Sequence, residues 1–180
     1  MTSEVEYVSL GSWCLTSHML KLAKVKKASY PLDWVFSNQE MIENLFNNIN
    51  IFESTQLTSK EGKTTHKKYG TIFNHHDPLY DANDYAYFQR CIQRFEKLYE
   101  KDVIYFILIL THEVDEEKLE RLLSSKISNC KLIIFDKSYS PKQLKFPDFK
   151  VSSIEYSVED KQKITFGDDD EFFYGIKEEK

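Results

Sequence analysis

Cysteine is scarce in this chain of 180 residues, and long hydrophobic runs are missing. The three cysteines, Cys14, Cys91 and Cys130, are an odd number without Cys-x-x-Cys spacing, which argues against a disulfide framework. The longest apolar run, Val103 to Leu110, is far shorter than the roughly 20 residues that span a bilayer. The first residues lack the basic and apolar regions of a signal peptide. The sequence therefore predicts a cytoplasmic protein without a membrane span.

Positive charge is not in excess, and no glycine-rich phosphate loop is present. Lys and Arg total 24 against 29 Asp and Glu, a net charge of -5, so we expect no nucleic-acid partner. Gly11 is a single glycine rather than a nucleotide-binding fingerprint. Five histidines without paired ligand spacing predict no metal site. We expect no cofactor, and the composition leaves open the substrate, whether a small molecule or a peptide, and the oligomeric state.

Aromatic residues, by contrast, are plentiful enough to build a sizeable core. The chain has 13 Phe, 11 Tyr and 2 Trp, and each buried ring removes about 150–250 Å² from water. The length predicts one domain over residues 1–180. Within it, the Lys/Thr-rich segment of about 55–68 is predicted to be an exposed loop. The acidic and aromatic segment of about 167–180 is predicted to dock onto the domain.

Strand and helix patterns alternate along the chain. A short alternating strand precedes a helix that begins near Cys14. The capping-box spacing of Ser37 and Glu40 predicts the start of a second helix. An apolar stripe from Tyr85 to Tyr99 predicts a long third helix, and the run Val103 to Leu110 is typical of a strand buried on both faces. This order predicts an α/β fold, a single three-layer domain with a mostly parallel sheet flanked by helices.

Cys14 is the strongest candidate for chemistry, because it lies where a strand and a turn lead into a helix. The helix dipole and the free amides at that position favour a thiolate and are suited to an oxyanion. A buried cysteine that packs as a small hydrophobe is the competing interpretation. Sites in parallel sheets gather at the carboxyl ends of the strands, so Gly11, Ser12 and Trp13 are predicted to contact a ligand.

A His-His-Asp sequence at His75, His76 and Asp77 offers a general base and a carboxylate to orient it. Adjacent side chains on an extended segment point to opposite faces, so only one imidazole is expected to face Cys14. Asp33 is another carboxylate that would orient an imidazole. Both carboxylates also fit ordinary polar turns, and spacing alone leaves this open.

Three further residue sets are open to more than one interpretation. Strand-end positions permit an alternative triad of Cys14, His112 and Asp136. Arg90 and Arg94 are four residues apart, a spacing that suits an anion site, although a solvated helix face is the commoner explanation. His18, inside the first helix, is interpreted as a structural histidine.

The order of these motifs resembles a known family. The resemblance extends from about Val8 to Leu110 and is to the DUF1796 group, which is described as papain-like cysteine peptidases. The quoted segments are Val8 to Cys14, Ser29 to Trp34, Lys68 to Gly70, Phe73 to Asp77, and the helix that contains Arg90 and Arg94. The chain departs from the family pattern at Leu32, where Phe is expected, and at Cys91, where Arg is expected.

This resemblance implies a cysteine-dependent hydrolase or acyl transferase. Cys14 matches the family's nucleophile, His76 its base, and Asp33 or Asp77 the carboxylate that orients the base. It also implies a papain-like α+β fold, as an alternative to the parallel sheet that the periodicity favours. The rival hypothesis is a non-catalytic α/β module that binds a sugar or nucleotide. In that module Cys14 only packs, and Gly11, Ser12, Trp13 and the His-Asp turn bind the ligand. Trp34 and His75 are also predicted ligand contacts.

Overall fold

A computed structural model of the protein describes residues 4–12, 14–22, 24–109 and 113–135, together with short strands at 143–144, 154–156 and 164–166. Three predictions lie outside these residues: the ligand contact of Trp13, the triad with His112 and Asp136, and the docking of segment 167–180. The elements follow in chain order. They are β1 (Val5–Ser9), α1 (Cys14–Leu22), α2 (Gln39–Phe46), β2 (Leu57–Lys60), β3 (Lys63–His66), α3 (Ala82–Glu96), β4 (Val103–Ile109), α4 (Glu116–Lys126), β5 (Cys130–Phe135), β6 (Gln143–Leu144), β7 (Ile154–Tyr156) and β8 (Ile164–Phe166).

A three-stranded parallel sheet organises the fold. Its order is β1-β4-β5, and β4 pairs in parallel with both neighbours. Residues 104–109 of β4 are all buried, as expected for the central strand of a parallel sheet with a continuous apolar sequence. The predicted α/β class and parallel sheet are confirmed. The described strands also include an antiparallel hairpin and the antiparallel set β6-β7-β8, and none of these sheets is closed.

The second helix begins one residue later than the capping box predicts. The Asn38 side chain accepts a hydrogen bond from the Met41 amide at 2.9 Å and caps α2. Ser37 instead donates from its hydroxyl to the Leu10 carbonyl at 2.9 Å. The predicted cap at Ser37 is wrong, because this side chain is used to tie the helix entry to the end of β1.

The third helix follows its predicted apolar stripe for most of its length. Asp81 caps α3 by accepting from the Asn83 amide at 2.7 Å, and Phe88, Ile92 and Phe95 are buried along one face. Phe88 stacks on Phe52 of the core, with ring centroids 4.4 Å apart. The stripe ends before Tyr99, which lies beyond the helix and is 69% exposed.

The polar segment of about 55–68, predicted to be an exposed loop, is largely exposed but contains the β2–β3 hairpin. Glu61 and Gly62 have φ angles of 53° and 78°, the left-handed pair that a two-residue hairpin turn requires. Thr64 and Thr65 on β3 are buried despite their polarity. Their hydroxyls are satisfied by neighbouring groups, which a composition-based prediction does not anticipate.

None of the described helices combines the length and the apolar character needed to cross a bilayer.

Candidate active site

Three stretches of backbone run side by side beyond the carboxyl end of β1. The middle stretch, residues 35–37, forms backbone hydrogen bonds to the stretch at Ser12 on one side and to the stretch at Ile72 on the other. The Ser37 amide donates to the Ser12 carbonyl at 2.7 Å, and the Phe36 amide donates to the Ile72 carbonyl at 2.9 Å. These bonds hold the entry to α1 and the segment that leads to the predicted histidines on the same side of the sheet.

A tight turn fixes the start of α1. Gly11 has a φ of 99°, in the region that favours glycine, and its carbonyl accepts from the Thr16 hydroxyl. The Ser12 hydroxyl donates to the Ile109 carbonyl at 2.9 Å. Gly11 and Ser12, two predicted ligand contacts, are both buried, and these polar groups bond to α1 and to the end of β4. Cys14 then begins the helix as a partly exposed thiol.

An indole connects two imidazoles near this helix. The Trp34 ring meets the His18 ring edge-on, with centroids 4.8 Å apart and planes at 87°. It also meets the His75 ring edge-on, at 5.7 Å and 79°. The predicted ligand residues Trp34 and His75 are therefore brought together, and His18 of α1 joins them.

His76 is held from two directions. Its Nδ1 lies 2.8 Å from Oδ1 of Asp84, in the first turn of α3. Its ring stacks on Tyr87, with centroids 4.7 Å apart and planes at 17°. Partial burial acts to raise the pKa of Asp84, but the Asp77 amide and the His76 ring together lower it. An ionised Asp84 thus fixes the orientation of the His76 ring through Nδ1. Nε2 is the ring nitrogen that this contact does not use.

The two carboxylates predicted to orient a histidine have other contacts. Asp77 accepts from both the amide and the hydroxyl of Thr64. Asp33 is fully buried, forms an ion pair with Lys26 and accepts from the Tyr30 amide at 2.9 Å. Burial raises the pKa of Asp33, against the opposing effect of Lys26.

Sequence reasoning missed Asp84, the carboxylate that contacts His76. Acidic residues are common in the first turn of a helix, where they complement the helix dipole. Asp84 therefore has the pattern of an ordinary helix start. The only sequence signal for its contact with His76 is its position in the first turn of a helix that follows a histidine-containing turn.

The two histidines line one cleft of about 360 Å³. The chain bends at Asn74 and His75, so the alternation of an extended strand does not apply and both rings reach the same space. Phe36 and Phe73 supply its apolar wall, and Asp77 and Asp84 also line it. The described residues contain no group of three His, Cys, Asp or Glu side chains suited to hold a metal ion.

The two predicted anion-binding arginines have different surroundings. Arg90 is exposed, whereas Arg94 is half-buried and donates to the Ser29 carbonyl at 2.7 Å. Cys91, between them, is buried, and burial raises the pKa of its thiol to about 11. Such a thiol is protonated at neutral pH and is a poor nucleophile.

Residues 5–69 match the model of one protein family, described as "Putative papain-like cysteine peptidase (DUF1796)". This match confirms the resemblance to that family over a shorter range than the motifs suggest. The matched range includes Cys14, Asp33 and Trp34 and ends before His75. Comparisons with curated proteins and with solved structures found no match.

Proposed function

We propose that this protein is a cysteine-dependent hydrolase or acyl transferase, with Cys14 as nucleophile and His76 as general acid and base. The observation that carries the proposal is the 2.8 Å contact between His76 and Asp84 in the wall of an open cleft. A histidine held by a carboxylate through Nδ1 is the arrangement that acyl-transfer enzymes use to move protons.

The position of Cys14 supports its role as nucleophile. It is the first residue of α1, and the dipole and first-turn backbone amides of a helix favour a thiolate and an oxyanion. Cys91 is the weaker candidate, since burial raises the pKa of its thiol to about 11. The family match includes Cys14. Because the mechanism requires a reduced thiol, we also propose a cytoplasmic location.

The proposed reaction is a two-step acyl transfer. The Cys14 thiolate attacks a carbonyl carbon, so that a C–S bond forms and the bond to the leaving nitrogen or oxygen breaks. Protonated His76 gives its proton to the leaving group. Water then attacks the thioester and gives a proton to His76, and the thiolate is released. The carboxylate of Asp84 stabilises the imidazolium in each step.

The test is turnover of p-nitrophenyl acetate and of a fluorogenic peptide library. We expect Cys14→Ser and His76→Asn each to lower the rate by more than about 10³-fold. Cys130→Ser is the matched control, because it removes a half-buried thiol of a different element, the strand β5. A rate that survives Cys14→Ser, or iodoacetamide labelling of Cys14 no faster than that of Cys130, would overturn the proposal.

A ligand-binding module is the second candidate function. It is favoured by the end of the family match at residue 69, before both histidines of the cleft. In this case the cleft binds a sugar or nucleotide, and Cys14 only packs. A rise in melting temperature with such a ligand, together with no turnover of any acyl substrate, would select this function over catalysis.

A further inference from the structure

Cys14 and His18 are one helical turn apart on α1. Residues at this spacing have Cβ atoms about 5–6 Å apart on the same side of a helix. Helical side chains lean toward the N-terminus, so the His18 side chain leans toward the turn that contains Cys14. The helix alone therefore places an imidazole beside the proposed nucleophile.

Burial along α1 agrees with a shared face. Cys14 and His18 are partly exposed and Lys21, three residues further, is exposed, whereas Met19 and Leu20 are buried. The accessible face of the helix thus presents a thiol, then an imidazole, then an ammonium group. A thiol at a helix N-terminus near basic side chains is the environment in which cysteine ionises most readily.

Trp34 restricts where the His18 ring can lie. Its indole meets the imidazole edge-on at 4.8 Å. The loop that presents the indole is itself fixed, since Asp33 is paired with Lys26 and Val35 bridges to Phe73. A structural histidine would satisfy this contact alone, but the same contact also limits the positions that the His18 ring can take beside α1.

We propose that His18 takes the proton of the Cys14 thiol and remains paired with the thiolate, while His76 serves the leaving group and the water. This inference rests on the proposed function. In the step, the S–H bond breaks, the proton moves to a ring nitrogen of His18, and the products are a thiolate and an imidazolium. No further reactant is needed, and the charge of the pair is unchanged.

The other ionisable groups around α1 do not replace His18 in this role. Lys21 lies on the accessible face of the same helix, and His75 is the second imidazole in contact with Trp34. The buried pair of Asp33 and Lys26 neutralises itself.

The strands β1 and β4, on which α1 packs, contribute Glu6, Tyr7 and Tyr105. Tyr7 and Tyr105 stack on each other. Burial and the Glu6 carboxylate raise the pKa of Tyr30.

The decisive experiment is the pH dependence of Cys14 alkylation by iodoacetamide, mapped by mass spectrometry. His18→Asn is expected to move the midpoint of the rate profile up by roughly 1–2 pH units and to slow labelling at pH 6 by about 10-fold or more. The limiting rate at high pH is expected to be retained. His76→Asn is the matched control, expected to leave this profile in place while turnover is lost.

An unchanged profile in His18→Asn, or a shift in His76→Asn instead, would overturn the inference. In case His18→Asn does not fold, the wild-type protein provides a second test. Alkylation of Cys14 is expected to lower the NMR titration midpoint of His18, because the thiolate that stabilises the imidazolium is removed. No change would count against the pair. Turnover measurements test only the proposed function, whereas the alkylation profile tests the pairing of Cys14 with His18. A failure of one proposal can therefore be told from a failure of the other.

Discussion

Asp33 and Asp84 each contact a basic side chain, but the two pairs have very different surroundings. Asp33 and Lys26 have side chains that are 0% and 9% exposed, and their bonds tie the loop before Trp34 together. Asp84 and His76 have side chains that are 24% and 20% exposed and line an open cleft. Burial makes one carboxylate a structural group, whereas partial exposure leaves the other in the wall of an open cleft.

Removal of the buried carboxylate should have the largest effect on stability. Asp33→Asn leaves the Lys26 ammonium without its counter-charge, and we expect a loss of about 3–5 kcal/mol in the free energy of unfolding. Urea denaturation would measure it. Replacement of both partners, as Lys26→Met with Asp33→Leu, should restore most of this loss. A loss below about 1 kcal/mol for Asp33→Asn would show that burial does not make the Asp33–Lys26 pair more important to stability than the partly exposed pair of Asp84 and His76.

The half-exposed carboxylate should matter to turnover more than to folding. Asp84→Asn can still accept from the Asp77 amide, but its amide group favours the wrong tautomer of His76. We expect turnover of p-nitrophenyl acetate to fall by about 10²–10⁴-fold. Asp81→Asn is the matched control in the same helix start, because Asp81 caps α3 through Asn83. An equal loss in both variants would indicate a general effect on α3.

The smallest effect concerns the pH dependence of stability. The pKa of Asp84 is lowered in the folded state, so its contribution is complete above the usual Asp value of about 3.9 and is lost as pH falls through the lower folded value. The stability difference between wild type and Asp84→Asn should therefore shrink below about pH 4. We expect that difference to be about 1–2 kcal/mol at pH 7. A difference independent of pH would contradict the assigned contact between ionised Asp84 and His76.

Sequence patterns predicted the elements whose side chains have one dominant environment. The buried strand β4 and the apolar face of α3 follow directly from their periodicity, because burial alone decides those positions. The prediction failed where a polar side chain had several partners available. Ser37 has the spacing of a helix cap and bonds to Leu10 instead, and buried Thr64 joins the hairpin to Asp77.

The candidate site was predictable in part for the same reason. Cys14 and the two adjacent histidines are rare residue types at turns, so the sequence singles them out. Asp84 and His18 lie in ordinary helical patterns, and their contacts with His76 and Trp34 depend on how separate elements pack. The roles of Cys14 and His76 stay predictions until the reactivity of the thiol is measured.

The backbone bonds of residues 35–37 have a consequence for how the site opens. The Ser37 amide is bonded to the entry of α1, and the Phe36 amide is bonded to the segment before the histidines. Displacement of either neighbour exposes one of these amides to solvent. In hydrogen-exchange terms, the protection of these two adjacent backbone protons is expected to report separation of the segments that lead to Cys14 and to the two histidines.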